Sequence, residues 1–313
     1  MPRLRVATYN LYLGADLASL FAVADPESLA EQVQVVRHQL DSTRFEERAR
    51  AVAALLAREQ PDLVGLQEVS RWTARPLGPD GTLGAEQVVV DFLPTLTGEL
   101  ERAGCGYDVH AASPSFEGAM PVSETEWMGL GGSNVVLVRR DGPVEVQAEE
   151  VSTYATSFEV RTGIDGVTFP IVRSWGRLDV RVGGGAVRFV NTHTEAYDAT
   201  TRDAQRDELL DANARTEGPV VVVGDFNAAP DAVGMPAPWT DAWDAGTGPG
   251  FTCGQRADLS NSDSRLSERI DYVWVRGAEV HGCRVVGDRP EDRSVPQGLW
   301  PSDHACVVAD LEV

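Results

Sequence analysis

The stretch Val220-Val221-Val222-Val223-Gly224-Asp225-Phe226-Asn227 puts a carboxylate and a carboxamide two residues apart at the end of an unbroken β-branched run. Such a run reads as a strand buried on both faces, and Gly224 lets the backbone turn where it leaves the core. Residues i and i+2 of an extended segment point the same way, so Asp225 and Asn227 stand side by side at the rim of a rigid sheet. An acid with an amide beside it suits a metal ion or a phosphoryl group. The same letters also describe an ordinary turn with Asp as its cap, and the other strand ends separate the two readings.

Thr8-Tyr9-Asn10 closes a first strand, Gln67-Glu68 a second and Asn191-Thr192-His193 a later one. Glu268-Arg269-Ile270-Asp271-Tyr272 opens the strand after Asp225, and Ser302-Asp303-His304 precedes the last. Every one of these edges delivers Asn, Asp, Glu or His, which turn propensity alone does not explain.

The elements that must carry these ends alternate strand and helix. Leu4 to Asn10 is the first strand; Leu29, Val33, Val36 and Leu40 then recur at helical spacing, and Ala49, Val52, Ala53 and Leu56 mark a second helix that Pro61 stops. Leu63 to Glu68 brings a strand back to the sheet, with Glu68 near its far end. Arg71 to Gly84, rich in Gly, Pro and Trp, reads as a surface loop, and Val89, Phe92, Leu93, Leu96 and Leu100 as a helix that Pro94 kinks or begins. Strands follow at Val135 to Val138, Val144 to Val151, Ile171 to Val182 and Val187 to His193, with glycine turns such as Gly183-Gly184-Gly185 that indicate antiparallel hairpins. A polar helix from Thr201 to Ala214 leads to the Val220 strand, and Ile270 to Val275 and Val307 to Leu311 complete the set. With no repeat and no low-complexity linker, residues 1–313 read as one domain of two packed sheets with helices outside.

Composition narrows the chemistry. All 27 basic residues are Arg, which excludes any mechanism that needs an amine, including a Schiff base or a phosphate-loop lysine. A net charge of −21 argues against holding long nucleic acid by phosphate neutralisation alone. The four cysteines have no metal-binding spacing and read as buried free thiols, with one disulfide as the other reading. No apolar run is long enough for a membrane helix and no signal peptide stands at the start, so a cytoplasmic protein is expected unless a leader has been removed. His38, His110 and His281 lie outside every block and receive no role.

The blocks at Asn10, Glu68, His193, Asp225-Asn227, Asp271 and Asp303-His304, in this order, resemble the endonuclease/exonuclease/phosphatase family of metal-dependent phosphoester hydrolases. The resemblance implies a four-layer α/β/β/α sandwich of two mixed sheets, like deoxyribonuclease I, with the site at one rim and one or two divalent ions, Mg²⁺ or Mn²⁺. It implies Glu68 as the main metal carboxylate, assisted by Asn10 and by Asp303; hard oxygen ligands fit Mg²⁺. Asp225 and Asn227 match the pair that orients the attacking water and stabilises the phosphorane-like oxygens. His304, oriented by Asp271, matches the histidine that takes the water's proton or stabilises the transition state, and His193 the acid on the leaving oxygen. Arg173 is a candidate for a substrate phosphate, and equally an ordinary strand Arg.

The activity expected is hydrolysis of a phosphodiester by in-line attack of water, on a nucleotide or single-stranded nucleic acid. A phosphomonoesterase of the same family is the alternative, and a non-catalytic binding protein on the same fold the rival from another class. A calcineurin-like phosphatase would need a Gly-Asn-His block that the chain lacks. Thr194 after His193, where Leu is common in the family, and Leu266-Ser267-Glu268-Arg269 before Ile270 depart from the family's patterns; the second departure counts against the inositol 5-phosphatase branch.

Overall fold

The computed structural model describes residues 2–164 and 168–313. In chain order the strands are β1 Arg3–Asn10, β2 Leu63–Pro76, β3 Gln87–Asp91, β4 Tyr107–Ser123, β5 Glu126–Arg139, β6 Val144–Thr153, β7 Phe158–Arg161, β8 Thr168–Ile171, β9 Ser174–Val182, β10 Gly185–His193, β11 Val220–Asp225, β12 Thr240–Asp241, β13 Asp271–Arg276, β14 Glu279–Val286 and β15 Cys306–Glu312. The helices are α1 Ala18–Phe21, α2 Pro26–Thr43, α3 Phe45–Glu59, α4 Phe92–Arg102 and α5 Ala199–Asn213.

Two large sheets result. The first runs β14-β15-β1-β2-β5-β4 with β3 beside β2, the second runs β12-β13-β11-β10-β9-β6, and β7 and β8 form a separate hairpin. β1 with β2 and β10 with β11 are parallel pairs, each bridged by helix. Capping fixes where those helices begin: the Asp25 carboxylate accepts from the Ser28 N–H ahead of α2, and Asp198 from the Thr201 N–H ahead of α5.

Three apolar layers hold the stack. Val33, Val36, Val52, Leu56, Phe92 and Leu96 pack α2, α3 and α4 on the outer face of the first sheet. Val6, Val136, Leu178, Phe189, Val221 and Val223 meet between the sheets. Val220, Val222, Val190 and Tyr272 face Leu209 of α5 on the far side. The alternation of Val220 and Val222 with Val221 and Val223 confirms the strand buried on both faces; each such side chain stabilises the fold by roughly 1.5–3 kcal/mol. The result is the expected α/β/β/α sandwich.

Close to one rim the filling between the sheets becomes polar. Gln67 Nε2 donates to Asn191 Oδ1 at 2.6 Å, and Asn191 Nδ2 donates to the carbonyls of Leu66 and Val135 at 2.9 and 3.0 Å. Gly65 makes room: a Cβ there would stand 2.5 Å from Val223 Cγ2 and 2.6 Å from Asn191 Oδ1. These bonds pin the two sheets together just beneath the strand ends.

Several expectations are corrected. The Arg71 to Gly84 loop is strand as far as Pro76, because β2 continues past Glu68 and pairs with β5 and β3. The helix begins at Phe92, so Pro94 sits in its first turn and Val89 belongs to β3. The strand expected from Ile171 to Val182 breaks at Val172–Arg173, and β4 and β14 are strands beyond those expected. Burial alternates in β4 only in short stretches broken by register shifts and β14 is half-buried along much of its length, so both depend on their partner strands more than on local periodicity.

Candidate active site

The registers of the second sheet bring three of the expected site residues abreast. His193 lies opposite Asp225 across the parallel pair, and Asp225 lies opposite Asp271 across the antiparallel one. Gly224, at φ +153, takes the chain past Thr192, whose carbonyl oxygen any Cβ at this position would overlap. Asn227, at φ +48, then donates from Nδ2 to the Thr194 carbonyl at 3.0 Å.

The first sheet supplies the rest. Asn10 ends β1, and its Nδ2 donates to Asp225 Oδ2 at 3.0 Å while its Oδ1 accepts from the Tyr12 N–H at 2.9 Å. Glu68 stands in a register irregularity of β2 against β5 with φ +55, a conformation that re-aims its side chain into the rim. Its Oε2 accepts from the Leu13 N–H at 2.7 Å. Asp303 and His304 come from the loop before β15, which Ser302 ties to the Asn10 carbonyl at 2.7 Å.

The charged groups perturb one another strongly. Burial, reinforced by Asp271, pushes the Asp225 carboxyl up to about 7 against the pull of His304, Asn10 and Asn227. Burial would lower His304, but Asp271, whose Oδ2 is 2.8 Å from Nδ1, together with Cys253 and Asp303, holds it well above the usual imidazole value. His193 goes the other way: burial, with the cations of Arg173 and His304, holds it well below that value. Both imidazoles turn Nε2 to the same Asp225 oxygen, His193 at 3.5 Å and His304 at 3.8 Å. Asp303 is pushed up to about 6 by burial, with Glu68 adding and His304 and Arg48 opposing.

These groups open on a cleft of about 330 Å³ lined by Glu68, Arg173, His193, Asp225, Asn227, Asp303 and His304 among others. Asn10 and Asp271 stand behind that surface, each fastened to a residue that reaches it. Asp225, Asp271 and His304 bring their donor atoms within 4.8 Å of one another, but His304 Nδ1 and Asp271 are already bonded together, which makes this cluster a proton network. Glu68 and Asp303 are the pair that fits a hard divalent cation: two carboxylates on the cleft, the charge of Glu68 raising Asp303, with oxygen donors only.

Two structural groups escaped the sequence reading. Arg48 is fully buried on α3 and donates to the carbonyls of Thr43 (2.9 Å), Leu11 (2.7 Å), Pro301 (2.8 Å) and Tyr12 (3.1 Å), joining the loops that carry Glu68's anchor and Asp303. Its signal was legible, since Arg48 falls on the same helical stripe as Phe45, Ala49 and Val52. Glu195, completely buried, stands 3.6 Å from Arg173 Nε and had no such signal. His110 and His281 form surface pairs with Glu149 and Glu312, away from the cleft. All four cysteines are free.

The sequence matches the pattern of the Endonuclease/Exonuclease/phosphatase family over residues 7–304. The chain belongs to this family. Members of the family are phosphoester hydrolases and generally depend on a divalent metal. Solved structures agree on the fold. An endonuclease/exonuclease/phosphatase from Bacteroides vulgatus superposes with a TM-score of 0.63 at 20% identity, covering 100% of both chains. D. rerio TDP2 complexed with single strand DNA product gives 0.61 at 17% identity over 99% of both chains. The mannosyl-6-phosphatase of Bacteroides thetaiotaomicron gives 0.59 at 18%, over 99% of this chain and 100% of that one. A search of curated proteins gives no match. Among the described residues, no helix is long and apolar enough to cross a membrane.

Proposed function

We propose that the protein is a divalent-metal-dependent phosphodiesterase that hydrolyses its substrate by in-line attack of water. The observation that carries this reading is the placement of two buried imidazoles of opposite ionisation against one Asp225 oxygen, at 3.5 and 3.8 Å.

A carboxyl held near 7 suits proton abstraction from the attacking water, so Asp225 takes the base role. Asn10 and the Asn227 N–H aim it, donating to its two oxygens at 3.0 and 2.9 Å. His304, held cationic by Asp271, stabilises the charge that builds on the phosphoryl oxygens. His193 is neutral in this environment; its Nδ1 has no partner, so we assign the proton to Nε2, which donates to the substrate as a hydrogen bond. A phosphate anion beside it opposes the effect of burial and brings it toward the acid role on the leaving oxygen. Glu68 and Asp303 would hold the cation, Mg²⁺ or Mn²⁺, which supplies Lewis-acid stabilisation of the phosphoryl charge when bound. Arg173 reaches the non-bridging oxygens.

The test is hydrolysis of bis-p-nitrophenyl phosphate, p-nitrophenyl phosphate, single- and double-stranded DNA, RNA and sphingomyelin, with Mg²⁺ and after chelation, by wild type and His304→Ala. Metal-dependent turnover of a diester, lowered about 10²–10³-fold by the substitution, is the expected result. Turnover of the monoester alone makes the protein a phosphomonoesterase instead. Silence across the panel favours a binding protein on the same fold.

A further inference from the structure

We infer that the cleft selects a small phosphoester bearing one flat apolar ring, a nucleobase or an aryl group, and shuts out the body of a nucleic-acid polymer. This rests on the phosphoesterase reading above and adds its substrate class.

One side of the cleft is closed by chain that comes from three separate places. The segment after β1 is fixed at its start by Arg48, which holds the Leu11 and Tyr12 carbonyls, and by Trp72, whose Nε1 donates to the Leu13 carbonyl at 2.7 Å. At its far end the Val23 carbonyl accepts from the Gly163 N–H at 2.8 Å, and a Cβ on Gly163 would stand 2.8 Å from Ala24 Cα. Phe21 closes the gap: its ring lies 5.6 Å from that of Phe169 on β8 and edge-on, 5.2 Å, to that of Tyr197 in the loop after β10. Leu13, Leu17, Phe21, Phe116, Ile171 and Tyr197 give this wall its apolar surface and line the same cleft as the catalytic groups.

Size, polarity and charge then agree on the occupant. The volume of about 330 Å³ stands at the lower end of small-molecule pockets, which begin at roughly 300 Å³. That is room for one ring and its phosphoester. Tyr197 is 49% exposed at the mouth, apolar surface that a stacked ring would cover. Arg173 is the one Arg among the lining residues, and Asp16 joins the catalytic carboxylates around it. A polymer threading past would meet one Arg, the imidazolium of His304 and several acids, where strand-tracking grooves present a row of cations. Arg173 is one-tenth exposed and ion-paired with the buried Glu195 at 3.6 Å, while its Nε makes no hydrogen bond, so it offers a substrate phosphate a contact already partly balanced in charge.

The test compares thymidine 5′-monophosphate with deoxyribose 5-phosphate, which differ only by the base, as inhibitors of bis-p-nitrophenyl phosphate hydrolysis. The nucleotide is expected to bind at least about tenfold more tightly. Tyr197→Ala, at an exposed position that folding tolerates, and Phe21→Ala should erase the difference while leaving deoxyribose 5-phosphate within about threefold; Phe21→Leu, which keeps the wall filled, should keep part of it. Equal affinity for the two compounds, no response to Tyr197→Ala, or internal cleavage of a duplex as efficient as that of the small ester would overturn the inference. If wild type turns over no ester, the phosphoesterase reading fails by itself, and calorimetric binding of the same two compounds decides this one on the same criteria.

Discussion

The carboxylate of Asp271 and the imidazole of His304 meet at 2.8 Å in a pair that solvent barely reaches, 0% and 7% exposed. Asp271 also faces Asp225 across the sheet, so one buried charge holds His304 protonated and adds to the burial that keeps Asp225 a weak acid. Asp271→Asn removes both effects. Burial then pulls His304 down with only Cys253 and Asp303 opposing it, and kcat should fall about 10²–10³-fold. The melting temperature at pH 7 should fall, because the buried pair with His304 is lost, and relief of the repulsion with Asp225 offsets only part of that loss. An unchanged kcat would remove His304 from the chemistry.

Arg48 makes a second prediction. Its guanidinium serves carbonyls from three stretches of chain, and Arg48→Met strands them in the interior. A loss of about 2–4 kcal/mol is expected in urea denaturation. Arg48→Lys should fall between, because an ammonium with three donors cannot span the same fork of acceptors. Destabilisation below about 1 kcal/mol would show that water replaces the clamp.

Gly224→Ala should be among the most damaging single-methyl changes in the chain. The added Cβ overlaps the Thr192 carbonyl oxygen, and φ +153 lies outside the range of an L residue. About 3 kcal/mol or more of stability should be lost. Whatever folded protein remains should have Asp225 out of register and little activity. Circular dichroism with a rate assay on the same sample checks both.

At the opposite end of the sheet, Asp310 sits between Arg5 Nε at 2.5 Å and Arg284 Nη1 at 2.7 Å. Burial alone would raise its carboxyl, but the two arginines outweigh burial and hold it below the ordinary value. A carboxyl whose folded value is depressed adds stability above its unfolded value and loses it as pH falls through the folded one. The contribution is therefore present above about pH 4 and disappears toward acid. Asp310→Asn should lower stability at pH 7 and flatten the acid limb of a stability–pH curve; parallel curves for the two proteins would rule the network out.

Much of this was legible in the sequence because it is local. Valine runs, heptad-like stripes and Gly-Asp turns identify β1, β10, β11, α2 and α3 from the residues themselves. What was lost were elements stabilised by distant partners. The stretch Arg71 to Pro76 looks like a loop because its Arg, Pro and Thr carry no alternation of their own, yet β3 and β5 flank it and supply its hydrogen bonds. Pro94 offered two readings, a kink or a start, and the strand β3 ending at Asp91 decided for the start.

The sequence alone determined which groups stand at the strand ends, since side-chain period and turn chemistry act over a few residues. Asn10, His193, Asp225, Asn227, Asp271, Asp303 and His304 follow from that, whereas Glu68 stands inside β2 and reaches the rim through a register irregularity that only the pairing with β5 shows. Only the tertiary structure decided how the two histidines ionise. His193 and His304 are the same residue type with the same intrinsic basicity, and they shift in opposite directions. One is buried beside the cations of Arg173 and His304, the other against Asp271, 33 positions away in the chain. Ionisation depends on desolvation and on charges a few ångströms off, and those neighbours exist only once the sheets have packed.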